Sequence, residues 1–305
     1  RLVRLVSYFS PAQTIAANAQ VELVRADLRD AANWSSLLTD AEAVVHLSWR
    51  TNLRAAEADP AGDRQLNVEP VQALVRAAER CSQPVPVTFA STVTIVGDAP
   101  PIPADERTPD RPCTVYDRHK LESEIILRDA TRRGVLNACS LRLPNVYGYG
   151  SGVRSTNSNR GILNEIMRRA VLGEALTIYG KGEYVRDFTF IGDVVDAFCR
   201  ALSSERVRNG GYYVVASGEG CTLAKAFELV AREALGFTGR AVEIRHVPEP
   251  PDLFPIERRN FVGDSSLFQK STGWYPQFDL QIGIRDYFER AITPLESGPA
   301  PDEAA

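Results

Sequence analysis

Between residues 2 and 143, short apolar runs alternate with segments whose apolar residues recur at helical spacing, and this alternation limits the chain to few architectures. Leu2 to Ser7, Val21 to Arg25, Ala43 to Leu47, Pro86 to Ser91 and Ala138 to Leu143 read as strands. Ala31 to Leu38, Leu66 to Arg80 and the stretch from Tyr116 through Leu121, Ile125 and Leu127 read as helices. Strands joined through helices pair in parallel and are covered on both faces. The expected fold is therefore α/β, with a doubly wound parallel sheet.

After Gly150 the character changes. Residues 151–161 form a polar loop, followed by a helix from Ile162 to Val171 and a strand from Leu176 to Tyr179. The run Arg186-Asp187-Phe188-Thr189-Phe190 comes next. It precedes a helix over Val194 to Leu202, a strand over Tyr212 to Ala216 and a helix over Leu223 to Ala234. The expected organisation is a parallel-sheet domain over 1–150, to which 186–203 returns, and a smaller α/β domain over 151–293. The Ser-, Gly-, Pro- and acid-rich tail, 294–305, is expected to be disordered.

The bulk numbers exclude several classes. A net charge of −4 without a basic run argues against a nucleic-acid partner. The five cysteines (Cys81, Cys113, Cys139, Cys199, Cys221) are scattered without a C-x-x-C pair, and His46, His119 and His246 lack metal-ligand spacing. Neither a disulfide framework nor a metal is expected. There is no signal peptide and no apolar run approaching about eighteen residues, so a cytoplasmic protein without a membrane partner is expected.

Chemistry concentrates at Tyr116-Asp117-Arg118-His119-Lys120, with Ser91-Thr92 some two dozen residues earlier. Tyr and Lys four apart share one helix face, so phenol and ammonium can serve one site. A nearby ammonium stabilises phenolate and brings the phenol towards the range of an acid/base catalyst. Thr92, at the end of an apolar strand, can hold the oxygen that exchanges a proton with Tyr116. Only four of the 35 basic residues are lysine, but it is the context, with Thr92 ending an apolar strand and Tyr116 opening a helical pattern, that makes the pairing informative.

A strand-end hydroxyl followed by a helix bearing Tyr and Lys resembles the short-chain dehydrogenase/reductases, in their extended, sugar-nucleotide branch. The resemblance runs from residue 1 to about residue 292. It implies a Rossmann-like sheet, with Thr92, Tyr116 and Lys120 catalytic. It also implies that Asp27 and the Leu28 amide lie at the adenine, with Leu47, Ser48 and Trp49 beneath ribose and pyrophosphate. Tyr116, Lys120 and Leu143 are further cofactor contacts in that reading. Asn67 matches a family asparagine that shapes the backbone beside the site, whereas His46 reads as a packed core histidine.

A Rossmann unit opens with a strand, a Gly-rich turn and a helix. No such turn precedes Leu2, and Gly148, Gly150 and Gly152 come too late. The first strand, phosphate loop and first helix are therefore expected to be missing from this sequence, with Leu2–Ser7 as the fold's second strand. That strand ends Leu5-Val6-Ser7-Tyr8, without the carboxylate that bonds a ribose diol in NAD-binding members. Ser7 at that position favours NADP(H), with NAD(H) possible.

Leu141-Arg142-Leu143-Pro144-Asn145-Val146-Tyr147-Gly148 is similar to the family segment in which the asparagine meets the sugar nucleotide. The run from Leu176 to Asp187 is similar to one in dTDP-glucose 4,6-dehydratases. There the resemblance places Tyr179 at the base and Arg186 at the diphosphate, with Arg258 or Arg259 as a second arginine, Arg259 being preferred. Dehydratases follow the catalytic Thr with Asp-Glu, but here Val93-Thr94 follows Thr92, which disfavours dehydration. The expected activity is reduction of the C4 keto group of an NDP-4-keto-6-deoxyhexose, as in the 4-ketoreductases of antibiotic deoxysugar pathways. An NDP-sugar 4-epimerase with tightly held NAD is the alternative, and a non-catalytic dinucleotide sensor the second. The partner is expected to be a nucleotide sugar, dTDP-linked, and the assembly a homodimer.

Overall fold

The computed structural model describes residues 2–7, 20–150 and 161–296. In chain order come β1 (Leu2–Ser7), β2 (Gln20–Arg25), α1 (Ala31–Leu38), β3 (Val44–His46), α2 (Leu53–Ala58), α3 (Pro60–Asn67), α4 (Glu69–Ala78) and β4 (Val85–Thr92). A short 3-10 helix (Val93–Val96) leads on to α5 (Val115–Arg132), β5 (Leu136–Leu143), β6 (Asn145–Tyr147), α6 (Ile162–Leu172), β7 (Leu176–Tyr179), β8 (Val185–Phe190) and α7 (Ile191–Ser203). The remainder is β9 (Tyr212–Val214), β10 (Gly220–Thr222), α8 (Leu223–Thr238), β11 (Ile244–Val247), a 3-10 turn (Pro255–Arg258), α9 (Ser266–Thr272) and α10 (Leu280–Glu296). This is the α/β, Rossmann-like architecture read from the sequence. β1 runs parallel to β2 and β3 parallel to β4, and the order of the four-stranded sheet is β3-β4-β5-β9. Among the described residues no helix is long and apolar enough to cross a membrane.

Several element ends shift by one to four residues, as where α7 begins at Ile191 and α8 runs on to Thr238, and two regions differ in kind. The single helix expected over 66–80 is split: Leu66 and Asn67 close α3, and α4 runs only from Glu69 to Ala78. Pro60 and Pro70 sit in the first turns of α3 and α4, where a missing N–H costs nothing and a helix begins. Asp59 caps α3 through the amide of Gly62. Residues 294–296, expected to open a disordered tail, are instead the last residues of α10, which buries Ile284, Tyr287, Phe288 and Ala291 along its length. The loop expected over 151–161 lies, but for Gly161, outside the described residues, as does 297–305.

The chain divides into two compact units. One comprises Arg1–Ser91, Thr114–Leu141 and Ala201–Tyr212, and the other Thr92–Cys113, Arg142–Arg200 and Tyr213–Ala305. The sequence reading drew the division at residue 150, with a return over 186–203.

In the first unit α4 buries Val71, Leu74, Val75 and Ala78, an i, i+3, i+4, i+7 stripe. The stripe joins Trp34 and Leu38 of α1, Val85, Val87 and Phe89 of β4, and Leu127 of α5 in one core. Each such side chain, fully buried, contributes about 1.5–3 kcal/mol. The exposed Leu2, Val3, Leu5, Leu23, Val45 and Leu47 lie outside it.

In the second unit β8 pairs antiparallel with β10 and parallel with β6. Helices α6, α8 and α10 bury Met167, Phe227, Val230 and Phe288 against Tyr147, Phe188 and Phe190. Gly283 permits the close approach of α10, since a Cβ there would stand 2.2 Å from the Tyr147 hydroxyl.

Candidate active site

The start of α5 is fixed by a reciprocal cap. Thr114 Oγ1 accepts from the amide of Asp117 (3.1 Å), and the Asp117 carboxylate accepts from the amide of Thr114 (3.1 Å). Glu57 of α2 accepts from the Val115 amide at 2.6 Å. Tyr116 therefore lies in the first turn of α5 and Lys120 one turn on, sharing a face.

Lys120 is 4% exposed. Its Nζ donates to the carbonyl of Ala90 over 2.5 Å. The same nitrogen lies 3.8 Å from the centroid of Trp49, 4.6 Å from that of Phe89 and 5.9 Å from that of Tyr116. Burial pushes the amine down to about 7, opposed by the negative charge of Glu124, and the aromatic faces hold part of the cation's charge. Half-buried Tyr116 stands edge-on to Trp49, centroids 6.2 Å apart. Glu124, one further turn along α5, is buried and receives the Ser91 hydroxyl at 2.5 Å.

His46 is a core imidazole. It is buried, stacked on Trp34 and edge-on to Phe89, and burial together with the Lys120 charge pushes it down to about 4.

Of the other cofactor candidates in this unit, Asp27 is held by Arg29, whose Nε lies 2.9 Å and whose amide lies 3.0 Å from Oδ1. That pairing keeps its carboxyl below the usual carboxylate range. The Leu28 carbonyl accepts from Trp34 Nε1 at 2.7 Å, and the cap of α1 is Asp30 rather than Asp27. Leu47 and Ser48 are exposed. Ser7 ends β1, with its side chain outside the described residues.

In the second unit Thr92 Oγ1 lies 2.9 Å from Thr94 Oγ1 and accepts from the Thr94 amide at 3.2 Å. Leu143 ends β5, half-buried. Asn145 Nδ2 donates to the Asp187 carbonyl at 3.3 Å. Arg186 is 5% exposed and donates to the carbonyls of Glu257 and Arg259. Burial first, and the charge of Arg259 second, push its guanidinium down to about 9, so it remains cationic at neutral pH. Arg258 is paired with Glu249 at 3.0 Å, and Glu249 also takes the Tyr184 hydroxyl at 2.8 Å. Arg259, not Arg258, is thus the arginine whose charge is felt at Arg186. Tyr179 ends β7, 47% exposed.

Sequence reasoning assigned no role to Asp187. Its buried carboxylate accepts from Ser217 N and Oγ, Gly218 N and Gly263 N at 2.7–3.2 Å. Glu124 was missed as well, although its i+4 spacing from Lys120 could have revealed it.

The chemistry of the set suits a ligand rich in acceptor oxygens. An ammonium has three donors, and Lys120 gives one to Ala90. The remaining two fit a ribose diol, and the adjacent phenol can pass a proton to or from a hydroxyl. Among the described residues no cluster of His, Cys, Asp and Glu could hold a metal.

Comparison with known proteins supplies the remaining findings. A model of the NAD dependent epimerase/dehydratase family matches residues 2–216. A UDP-glucose 4-epimerase of Mycolicibacterium smegmatis is 28% identical over 267 residues, covering 86% of this chain and 80% of that protein. The structure of the Thermus thermophilus UDP-glucose 4-epimerase in complex with NAD matches with a TM-score of 0.78 at 25% identity, over 94% of this chain and 90% of that one. A UDP-glucose 4-epimerase of Thermotoga maritima with UDP-glucose shares the fold, with a TM-score of 0.82 at 24% identity, over 96% and 91% of the two chains.

Proposed function

This chain belongs to the NAD dependent epimerase/dehydratase family, and on that premise we propose that it is a sugar-nucleotide 4-epimerase using a nicotinamide dinucleotide. The observation that carries the reading is the Tyr116–Lys120 pair on one face of α5, with the amine buried on Trp49, in a chain whose relatives described above are 4-epimerases. The sequence resemblance favoured a 4-ketoreductase, and the relatives move the balance to the epimerase.

When bound, the dinucleotide supplies a hydride acceptor and donor. Lys120 would hold its ribose through the N–H groups not given to Ala90, and its ammonium, 5.9 Å from the Tyr116 ring centroid, favours negative charge on the phenol oxygen during proton transfer. Tyr116 takes the proton of the sugar's C4 hydroxyl and returns it to the same oxygen, so the protein is unchanged after each turnover. The sequence resemblance gives Thr92 the orienting of the sugar oxygen, and Thr94, whose hydroxyl lies 2.9 Å from that of Thr92, stands where a dehydratase carries an acidic residue. Arg186 and Arg259 supply the positive charge for a diphosphate, Asn145 a contact to the nucleotide sugar, and Tyr179 a face for the base. In this reading the first unit carries the dinucleotide and the second the nucleotide sugar, dTDP-linked on the sequence resemblance. The assembly is a homodimer, which a solution mass would check. NAD suits an epimerase that recycles its cofactor, whereas the NADP(H) favoured by Ser7 would accompany net reduction.

The test mixes the full-length protein with NDP-sugars and follows both product and reduced-nicotinamide absorbance. Interconversion of C4 epimers without added cofactor and without net absorbance change is expected. Stoichiometric consumption of NADPH with an NDP-4-keto-6-deoxyhexose would replace the epimerase with the ketoreductase.

A further inference from the structure

The first unit contains a buried polar chain that the proposed reaction does not use. Asp63 of α3 is 0% exposed and Asn67, one turn later, is 1% exposed. A carboxylate only accepts hydrogen bonds. Asn67 must therefore turn its Nδ2 to Asp63 Oδ1, at 3.0 Å, which leaves its Oδ1 to accept from the Arg50 amide at 2.7 Å. Nδ2 also lies 3.4 Å from the Arg50 carbonyl, so one side chain spans both polar groups of residue 50. The second oxygen of Asp63 lies 2.7 Å from His119 Nδ1, and that nitrogen must carry a proton for the same reason. The Arg50 guanidinium, at 3.3 Å from Asp63, completes the set.

Tyr116, His119 and Lys120 stand at i, i+3 and i+4 on α5, on one face. The helix therefore grips the segment 49–50 twice. Lys120 and Tyr116 meet the ring of Trp49, and His119 reaches the backbone of the next residue through Asp63 and Asn67. We infer that His119 is a positioning residue: through Asp63 and Asn67 it fixes the backbone at Arg50 and so holds the Trp49 indole against the Lys120 amine. Removing the His119 N–H leaves Asp63 Oδ2 without its 2.7 Å partner, and the carboxylate is then free to turn from the geometry that orients the Asn67 amide. The other titratable groups around the amine are Tyr116 and Glu124 on its own helix and the neutral His46 from β3.

The inference rests on Lys120 belonging to the proposed site, but its test needs neither substrate nor turnover. With only four lysines in the chain, amine labelling across pH, read peptide by peptide by mass spectrometry, isolates the titration of Lys120. The wild-type midpoint is expected at about 7. His119→Phe keeps a ring but loses the N–H, and should raise the midpoint by about one unit or more as Trp49 departs and water reaches the amine. His119→Asn, whose Nδ2 stands in for Nδ1, should restore it. Should His119→Phe not fold, Asp63→Asn keeps the shape of the carboxylate and is expected to move the midpoint in the same direction. An ordinary lysine midpoint in the wild type, or an unmoved midpoint in the variant read, overturns the assignment. Loss of the epimerase reading would show in turnover alone, leaving this titration unaffected.

Discussion

The hydroxyl of Ser91 donates to the buried carboxylate of Glu124, one residue beyond the Ala90 carbonyl that receives Lys120 Nζ. Two residues one turn apart on α5 thus bind successive residues of β4, one through a cation and the other through an anion. Glu124 raises the affinity of Lys120 for its proton, against burial. Glu124→Gln should therefore move the Lys120 titration to lower pH, read by NMR of labelled lysine. An unchanged titration would deny Glu124 its electrostatic part.

Lys120 also makes folding depend on pH. Its folded value of about 7 lies below the ordinary 10.5. Between those values the unfolded chain binds more protons than the folded one, so stability rises with pH. Below about 7 both states are protonated and the full cost of burying the charge is present. The wild type should gain about 1–3 kcal/mol between about pH 7 and about pH 9 from this group. Urea midpoints at the two pH values check this, and Lys120→Met should remove the group's contribution to the rise.

Tyr116→Phe removes one hydroxyl from a half-buried ring and leaves its packing on Trp49 in place. Turnover should fall by ~10²-fold or more with dinucleotide affinity retained. Steady-state kinetics beside cofactor titration decides this, and near-normal turnover would remove Tyr116 from acid/base duty.

Arg186→Lys keeps a cation but cannot fork to the carbonyls of Glu257 and Arg259 together. Losing a charge-assisted hydrogen bond costs about 1.5–3 kcal/mol. Nucleotide-sugar affinity should fall by roughly 10–100-fold, with the thermal midpoint lowered as well. Calorimetric binding and melting separate the two effects.

Asp187→Asn replaces acceptors with an amide facing the N–H groups of Ser217, Gly218 and Gly263. Losing such hydrogen bonds and leaving a buried N–H unpaired should cost about 1.5–3 kcal/mol, measured by chemical denaturation.

The alternation of strands and helices was legible because each element carries its own period. α1 matched at both ends, and the Thr114/Asp117 cap sits just before the helix read from Tyr116. Within the site, Tyr116 and Lys120 could be paired because their spacing is local. The Asp63–His119 bond joins residues 56 apart in sequence, and no periodicity encodes such a contact. The helix read over 66–80 was taken as unbroken because the apolar stripe of α4 hides the break before Pro70. Likewise the run around Arg186 suggested ligand chemistry but gave no sign that Asp187, beside it, serves the backbone of two distant segments, at 217–218 and 263.

A cation 3.8 Å from the centre of an indole ring is also an optical device. The excited ring is sensitive to the charge beside it, so the emission of Trp49 should follow the proton on Lys120. The molecule carries its own indicator dye at the amine on which the proposed chemistry depends. Its occupancy could be read in a cuvette with no substrate present.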